Sequence, residues 1–223
     1  MPPIHVSGVS REEASASSAP LRVADLSVAR LNAILELADD IREGPAWWAR
    51  VHKGGPAEAS LVGTSPHAVA ALADLLTLRR HFGYLDGLRL AYVGEADEFA
   101  HALVEAATLA GLHVAAATPP GHGPDHEHTM GALASAARHG GSVRLGHDPR
   151  AAVALADVVY TDAWASLLDV APEALFMHPR PTQPGDELPA EVIDGPRSLV
   201  AEQAANRPPT EQAVLHTLAT DGR

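Results

Sequence analysis

The chain has 223 residues with 46% apolar content, enough to bury a core, and a formal charge of −12 with a single lysine, Lys53, which argues against nucleic acid or an anionic membrane as a partner. The absence of cysteine excludes disulfides, thiolate metal sites and cysteine nucleophiles. No apolar run approaches the roughly 20 residues needed to cross a bilayer, and the Ser/Ala-rich start Met1–Pro20 has no apolar signal core, so the expected location is cytoplasmic.

After a leader over residues 1–23, the pattern from Ala24 to Gly44 predicts a helix. Ser27 is placed to cap it, Val28, Leu31, Ile34, Leu35, Ala38 and Ile41 form one apolar stripe, and Gly44 ends it. Pro45–Ser60, with Trp47, Trp48, Gly54, Gly55 and Pro56, reads as a connection whose tryptophans cover an edge of the core, and Leu61–Gly63 as a short strand. Pro66–Phe82 reads as a helix with Pro66 in its first turn, Leu72, Leu75, Leu76 and Phe82 inward, basic residues Arg79, Arg80 and His81 in its last turn, and Gly83 as the stop.

The organising stretch follows. Leu88–Val93 is a short apolar run ending at Gly94, the apolar positions Phe99, Leu103, Ala106 and Leu109 then recur at helical spacing until Gly111, and Val114–Ala117 opens a second run. Strand, turn, helix and strand in this order make a βαβ unit, which requires a parallel sheet covered by helices. Ligands of such sheets sit beyond the carboxyl ends of the strands, so the turn Gly94–Glu98 is the first place to look for chemistry. It lacks the further glycines of a dinucleotide fingerprint, and its carboxylates crowd the helix start where an anion would otherwise bind. Downstream the pattern predicts a loop over Pro119–Asp125, a helix over Glu127–His139, a strand over Ser142–Leu145, a short helix over Pro149–Leu155 and a strand over Asp157–Thr161. Leu175–Met177 reads as a strand ending at His178, Pro179–Pro189 as a loop, Ser198–Ala201 as a last strand, and Thr210–Thr220 as a final helix introduced by Pro208 and Pro209. The fold class is α/β: a Rossmann-like parallel sheet of about five strands with helices on both faces, plus terminal helices. His122, His126 and His128 beside Asp125 and Glu127 imitate a metal loop, but without an ordered three-ligand spacing no metal site is expected.

Four blocks, Ala71–Gly83, Ala156–Ser166, Phe176–His178 and Glu191–Pro196, resemble ornithine carbamoyltransferase and its aspartate-using relatives. The resemblance covers roughly Leu61–Leu218, the amino-acid-binding half of those enzymes, and weakly Ala24–Pro45, their first helix. It implies a domain plan of leader 1–23, a remnant of the carbamoyl-phosphate domain over 24–60, an amino-acid-binding-like α/β domain over 61–207 and a C-terminal helix and tail over 208–223. Between Pro45 and Leu61 the family places a carbamoyl-phosphate domain with a Ser-Thr-Arg-Thr-Arg phosphate loop, and this sequence has no such motif there. A phosphate loop supplies backbone N–H groups and arginines that hold a dianion and stabilise the leaving phosphate, so this chain is expected not to transfer carbamoyl groups alone.

The resemblance also assigns residues. His67 matches a histidine that touches the carbamoyl group, although the segment reads His67-Ala68-Val69-Ala70 without the family's glutamine, which leaves open a helix-start histidine with no task. Asp162 and Ser166 match Asp-x-Trp-x-Ser, where the Asp holds the substrate ammonium and Leu167 stands in the place of a methionine; capping of the next helix is the alternative for Asp162. Glu98 replaces an asparagine that contacts the amino acid, and two like charges about 4 Å apart at an effective dielectric near 20 repel by about 4 kcal/mol. Ornithine in the family's pose is therefore disfavoured and a cationic group favoured, unless the acids only stabilise a helix start. His178-Pro179-Arg180-Pro181 replaces His-Cys-Leu-Pro; Arg180 either recognises a carboxylate or faces water, and Arg207 matches an arginine that ties the family's two domains together. The catalytic set carried over is thus His67, His178 and Arg207, and the substrate-binding set Asp162, Ser166, Leu167, Glu98 and Arg180, with no cofactor. Two functional readings follow: a binding or scaffold module with an amino acid or amine as ligand, or a transferase completed by a partner chain or with altered chemistry. A homodimer, or pairing with another protein, through the terminal helices is expected from either.

Overall fold

The computed structural model describes residues 21–44, 65–161, 171–178 and 190–221. In chain order these form a short 3-10 turn (Val23–Asp25), α1 (Val28–Glu43), α2 (Pro66–Phe82), β1 (Arg89–Val93), α3 (Glu98–Leu109), β2 (His113–Ala117) and α4 (His126–His139). β3 (Ser142–Gly146), α5 (Pro149–Val153), β4 (Val158–Thr161), β5 (Leu175–Met177), α6 (Ala190–Ile193) and α7 (Val200–Asp221) complete them. The reading of Trp47 and Trp48, and the short strand over Leu61–Gly63, lie outside the described residues. No described helix is long and apolar enough to cross a membrane.

All described strands are parallel, in the order β3-β2-β1-β4-β5. Side chains that alternate along each strand serve two cores. Leu90, Tyr92, Val114, Ala116, Val158, Tyr160 and Met177 pack beneath α2 and α3, with α1 and α7 behind them. Ala91, Val93, Ala117, Val159 and Phe176 face the other way, against Ala152 and Val153 of α5 and Val192 and Ile193 of α6. Residues buried on both faces explain why β1 and β4 read as continuous apolar runs rather than as alternating ones.

Local chemistry sets the helix ends. The side chains of Ser27, Ser65, Asp97 and Asp125 accept from the backbone N–H of Arg30, Ala68, Ala100 and His128, capping α1, α2, α3 and α4. α2 stops at Gly83, whose φ of 81° is the left-handed conformation that closes a helix, and its N–H donates to the Arg79 carbonyl at 2.8 Å.

The carboxyl-terminal part departs from the sequence reading in two places. The strand expected over Ser198–Ala201 is a single parallel bridge between Ser198 and Phe176, after which the backbone turns into helix at Val200. The last helix, expected from Thr210, begins ten positions earlier and runs through Pro208 and Pro209. A proline inside a helix removes a hydrogen bond and costs about 3 kcal/mol, but here the surrounding face is buried. Asn206 Nδ2 donates to Thr77 Oγ1 at 2.8 Å, Thr210 Oγ1 donates to the Asn206 carbonyl at 2.8 Å, and Arg42 of α1 donates to Asn206 Oδ1. Tertiary packing against α1 and α2 therefore overrides the local penalty.

α1 is part of this core. Leu31, Ile34, Leu35 and Ala38 are fully buried, and Asp39 and Glu43 pair with Arg79 and Arg80 of α2. Leu35→Ala is expected to lower unfolding free energy by about 2–5 kcal/mol in urea titration, whereas Glu36→Ala, on the exposed face, changes it by less than about 0.5 kcal/mol.

Candidate functional site

The chain leaves β1 toward β2 on one side, while β4 occupies the other, so the carboxyl ends of β1 and β4 flank the switch point at which ligands of this architecture bind. The turn after β1 is held from three sides. The Gly94 N–H donates to the Ala117 carbonyl, the Ala96 N–H to the His122 carbonyl, and Tyr92 Oη to the Glu95 carbonyl. Beyond it, Asp97 caps α3 and Glu98 is its first residue, exposed to solvent. That exposure brings the environment of Glu98 toward bulk dielectric, where two charges about 4 Å apart repel by about 1 kcal/mol, so its discrimination against a carboxylate is weaker than the sequence alone suggests.

Antiparallel packing of helices on the strands brings the start of α2 to the same edge. Ser65 and Ala68 of α2, Ala96, Asp97 and Glu98 of the β1–α3 turn, Arg22 of the amino-terminal segment, and His101, Glu105, Asp125 and His128 line a cleft of about 410 Å³. Its field is dominated by carboxylates. The backbone N–H and imidazole of His128 hold Asp125 below the ordinary carboxylate range, whereas burial pushes Glu105 up. Arg22 is the cation at the rim, paired with Asp25 at 3.4 Å. His67 is exposed and adjoins this cleft through its neighbour Ala68 without lining it.

Neither His178 nor Arg207 lines this cleft. His178, at the carboxyl end of β5, is buried, and Gln203 of α7 clamps its peptide: the His178 N–H donates to Gln203 Oε1 at 3.1 Å and Gln203 Nε2 donates to the His178 carbonyl at 3.0 Å. Gln203 Nε2 also donates to Asp74 Oδ1 at 2.8 Å, and Tyr160 Oη donates to Asp74 Oδ2 at 2.7 Å. Burial pushes the Asp74 carboxyl up to about 6, opposed by its hydrogen bonds to Gln203 and Tyr160 and by the charge of Arg207, one turn along α7 from Gln203. Burial likewise pushes the Tyr160 phenol well above its ordinary value, so it remains a donor.

The structure therefore places Glu98 in this cleft with His67 at its margin, and links the His178 peptide through Gln203 to Asp74, whose carboxyl also feels the charge of Arg207. Asp162, Ser166, Leu167 and Arg180 lie outside the described residues. Among the described residues, His122, His126 and His128 do not converge into a metal-binding group. The sequence reading missed Asp74, Tyr160 and Gln203. A lone carboxylate inside the buried run from Ala68 to Leu78 was a visible signal for Asp74; Gln203 carried none.

Residues 86–171 and 165–218 match the sequence model described as aspartate/ornithine carbamoyltransferase, Asp/Orn binding domain. The chain belongs to the aspartate/ornithine carbamoyltransferase family. It is 40% identical over 172 residues to the ornithine carbamoyltransferase of Symbiobacterium thermophilum, a match covering 67% of this chain and 56% of the relative. It is 38% identical over 175 residues to that of Carboxydothermus hydrogenoformans, covering 68% and 56%. The chain thus spans just over half the length of the curated carbamoyltransferases it matches. The crystal structure of the ornithine carbamoyltransferase from Gloeobacter violaceus superposes with a TM-score of 0.73 at 26% identity, covering 89% of this chain and 97% of that one. The Thermus thermophilus carbamoyltransferase gives 0.70 at 27% identity, covering 91% and 99%. The structural match to this family therefore reaches further along the chain than the sequence match.

The raised native value of Asp74 makes a pH prediction. A carboxyl that holds its proton more tightly when folded contributes stability below about pH 4, the range of an unfolded aspartate, and loses it as pH rises through about 6. That displacement corresponds to a loss on the order of 3 kcal/mol. Urea titrations from pH 4 to 7 are expected to show the wild type losing stability relative to Asp74→Asn by that amount; parallel curves would mean that the ionised carboxylate is fully compensated in place.

Proposed function

We propose that this chain is a binding module built on the amino-acid domain of the carbamoyltransferases, that it takes a cationic amino acid or amine, and that it does not transfer a carbamoyl group by itself. The observation that carries this reading is the acidic cleft at the carboxyl edge of the sheet, where Asp97, Glu98, Glu105 and Asp125 share one lining. A cation there gains from each carboxylate, and an α-carboxylate does not. Support against transfer comes from residues 45–61, which hold no Ser-Thr-Arg-Thr-Arg string to receive a phosphate dianion.

The second reading, a transferase completed by a partner chain, is favoured by the His178 peptide clamped by Gln203, because that end of β5 has a defined geometry. Titration calorimetry separates the two. Heat is expected from a diamine or a cationic amino acid and none from carbamoyl phosphate, with Glu98→Gln weakening the cation about threefold or more. In the resemblance-based assignment Asp162 holds the ligand's ammonium, and Asp162→Ala is expected to abolish that binding while the unfolding midpoint is kept. Heat from carbamoyl phosphate alone would sink the binding-module reading and promote the transferase. Pairing through the terminal helices belongs to the same proposal, and light scattering across concentrations is expected to report a dimer.

A further inference from the structure

We propose that His101 of α3, stacked on His128 of α4, forms a proton-operated latch, closed while the His101 ring is neutral and released when it takes up a proton, which frees α4 from the rest of the fold. The rings stack with centroids 3.8 Å apart and planes inclined by 13°. His101 Nε2 is buried with no hydrogen-bond partner among the described residues, so a proton added there carries a charge into a site without an acceptor. His128 is anchored from the other side, its Nδ1 2.8 Å from Asp125 Oδ1, the same oxygen that caps α4. A neutral His101 ring gains from stacking on its neighbour, whereas a proton on it puts an uncompensated charge into that contact.

The apolar hold on α4 is small. Only Ala132 and Ala136 of this helix are buried, its partner β3 is the largely exposed edge strand, and behind the histidine pair lies a cavity of about 30 Å³ walled by Tyr92, Ala116 and Ala132. An element with so few apolar contacts opens at low cost, and a modest electrostatic change decides its state. The charges around His101 are mixed. His128 and Asp125 face it from α4, Asp97, Glu98 and Glu105 come from α3, and Arg22 approaches from the amino-terminal segment. Burial first and the neighbouring His128 second hold His101 below the ordinary histidine range, against the opposing pull of Asp125, Asp97 and Glu98. A group held below its unfolded value contributes stability above about pH 6.5, the value of an unfolded histidine, and that contribution is lost as pH falls from there through the lower native value. Because Asp74 tilts global stability the opposite way over the acid range, the latch must be read locally on α4.

Amide hydrogen exchange of the full chain at pH 7.5 and 5.5, corrected for intrinsic rates, is the test. Protection of α4 is expected to fall severalfold at pH 5.5 with no comparable fall in α2, and the fall should vanish in His101→Phe, which keeps a stacking ring without a titrating proton. A proton NMR titration of the wild type should place His101 below the ordinary histidine midpoint, which keeps the idea testable if the variant does not fold. Unchanged α4 protection at pH 5.5, the same loss in His101→Phe, or a His101 midpoint at or above the ordinary value would each overturn the latch.

Discussion

A carboxylate buried inside an apolar helix is the constraint on which most of this structure depends. Asp74 sits among side chains that exclude water from α2, so its oxygens must find donors in the protein or the helix cannot pack there. It finds them on elements remote in sequence, Tyr160 on β4 and Gln203 on α7. Gln203 then reaches the peptide of His178, so the same few hydrogen bonds that satisfy one carboxylate also set the end of β5 and the register of α7 against the sheet. From α7 the chain of contacts continues through Asn206 to Thr77 and Arg42, tying in α1. A partial set of these bonds would be worse than an apolar core, which makes the arrangement all-or-none.

The carboxyl edge of the sheet shows how one residue can serve structure and recognition together. Asp97 and Asp125 satisfy orphan N–H groups at the starts of α3 and α4, and the same carboxylates give the cleft its sign. A family core can therefore keep its fold while the charge presented at its ligand edge changes, because helix capping accepts any short oxygen acceptor and the sheet beneath is indifferent to it. The fold of the carbamoyltransferases is present in this chain; what the edge attracts follows from its own side chains.

Local pattern made much of this legible. The β1-α3-β2 unit was readable because its strands bury runs and its helix a stripe whose period is a property of neighbouring residues, and the ends of α1 and α2 because Ser27, Pro66 and Gly83 act on groups within a few positions. The start of α7 was not. Pro208 and Pro209 signal a helix start by every local rule, and only burial against α1 and α2 lets the helix continue through them. The strand expected at Ser198 failed similarly, since one bridge to Phe176 is all the pairing the sheet offers before α7 must begin.

The candidate residues divide in the same way. The sequence by itself determined the fold class, the family and the acidic character of the turn after β1, because these depend on residue order, periodicity and composition. Only the tertiary structure decided that the His178 peptide is linked through Gln203 to Asp74, that His67 stands beside the cleft rather than in it, and that His101 lies against His128. The partners of Asp74 are 86 and 129 positions away from it. No local period encodes such a separation; it is settled when burial forces a polar group to find whatever donor the packed sheet and helices bring within reach.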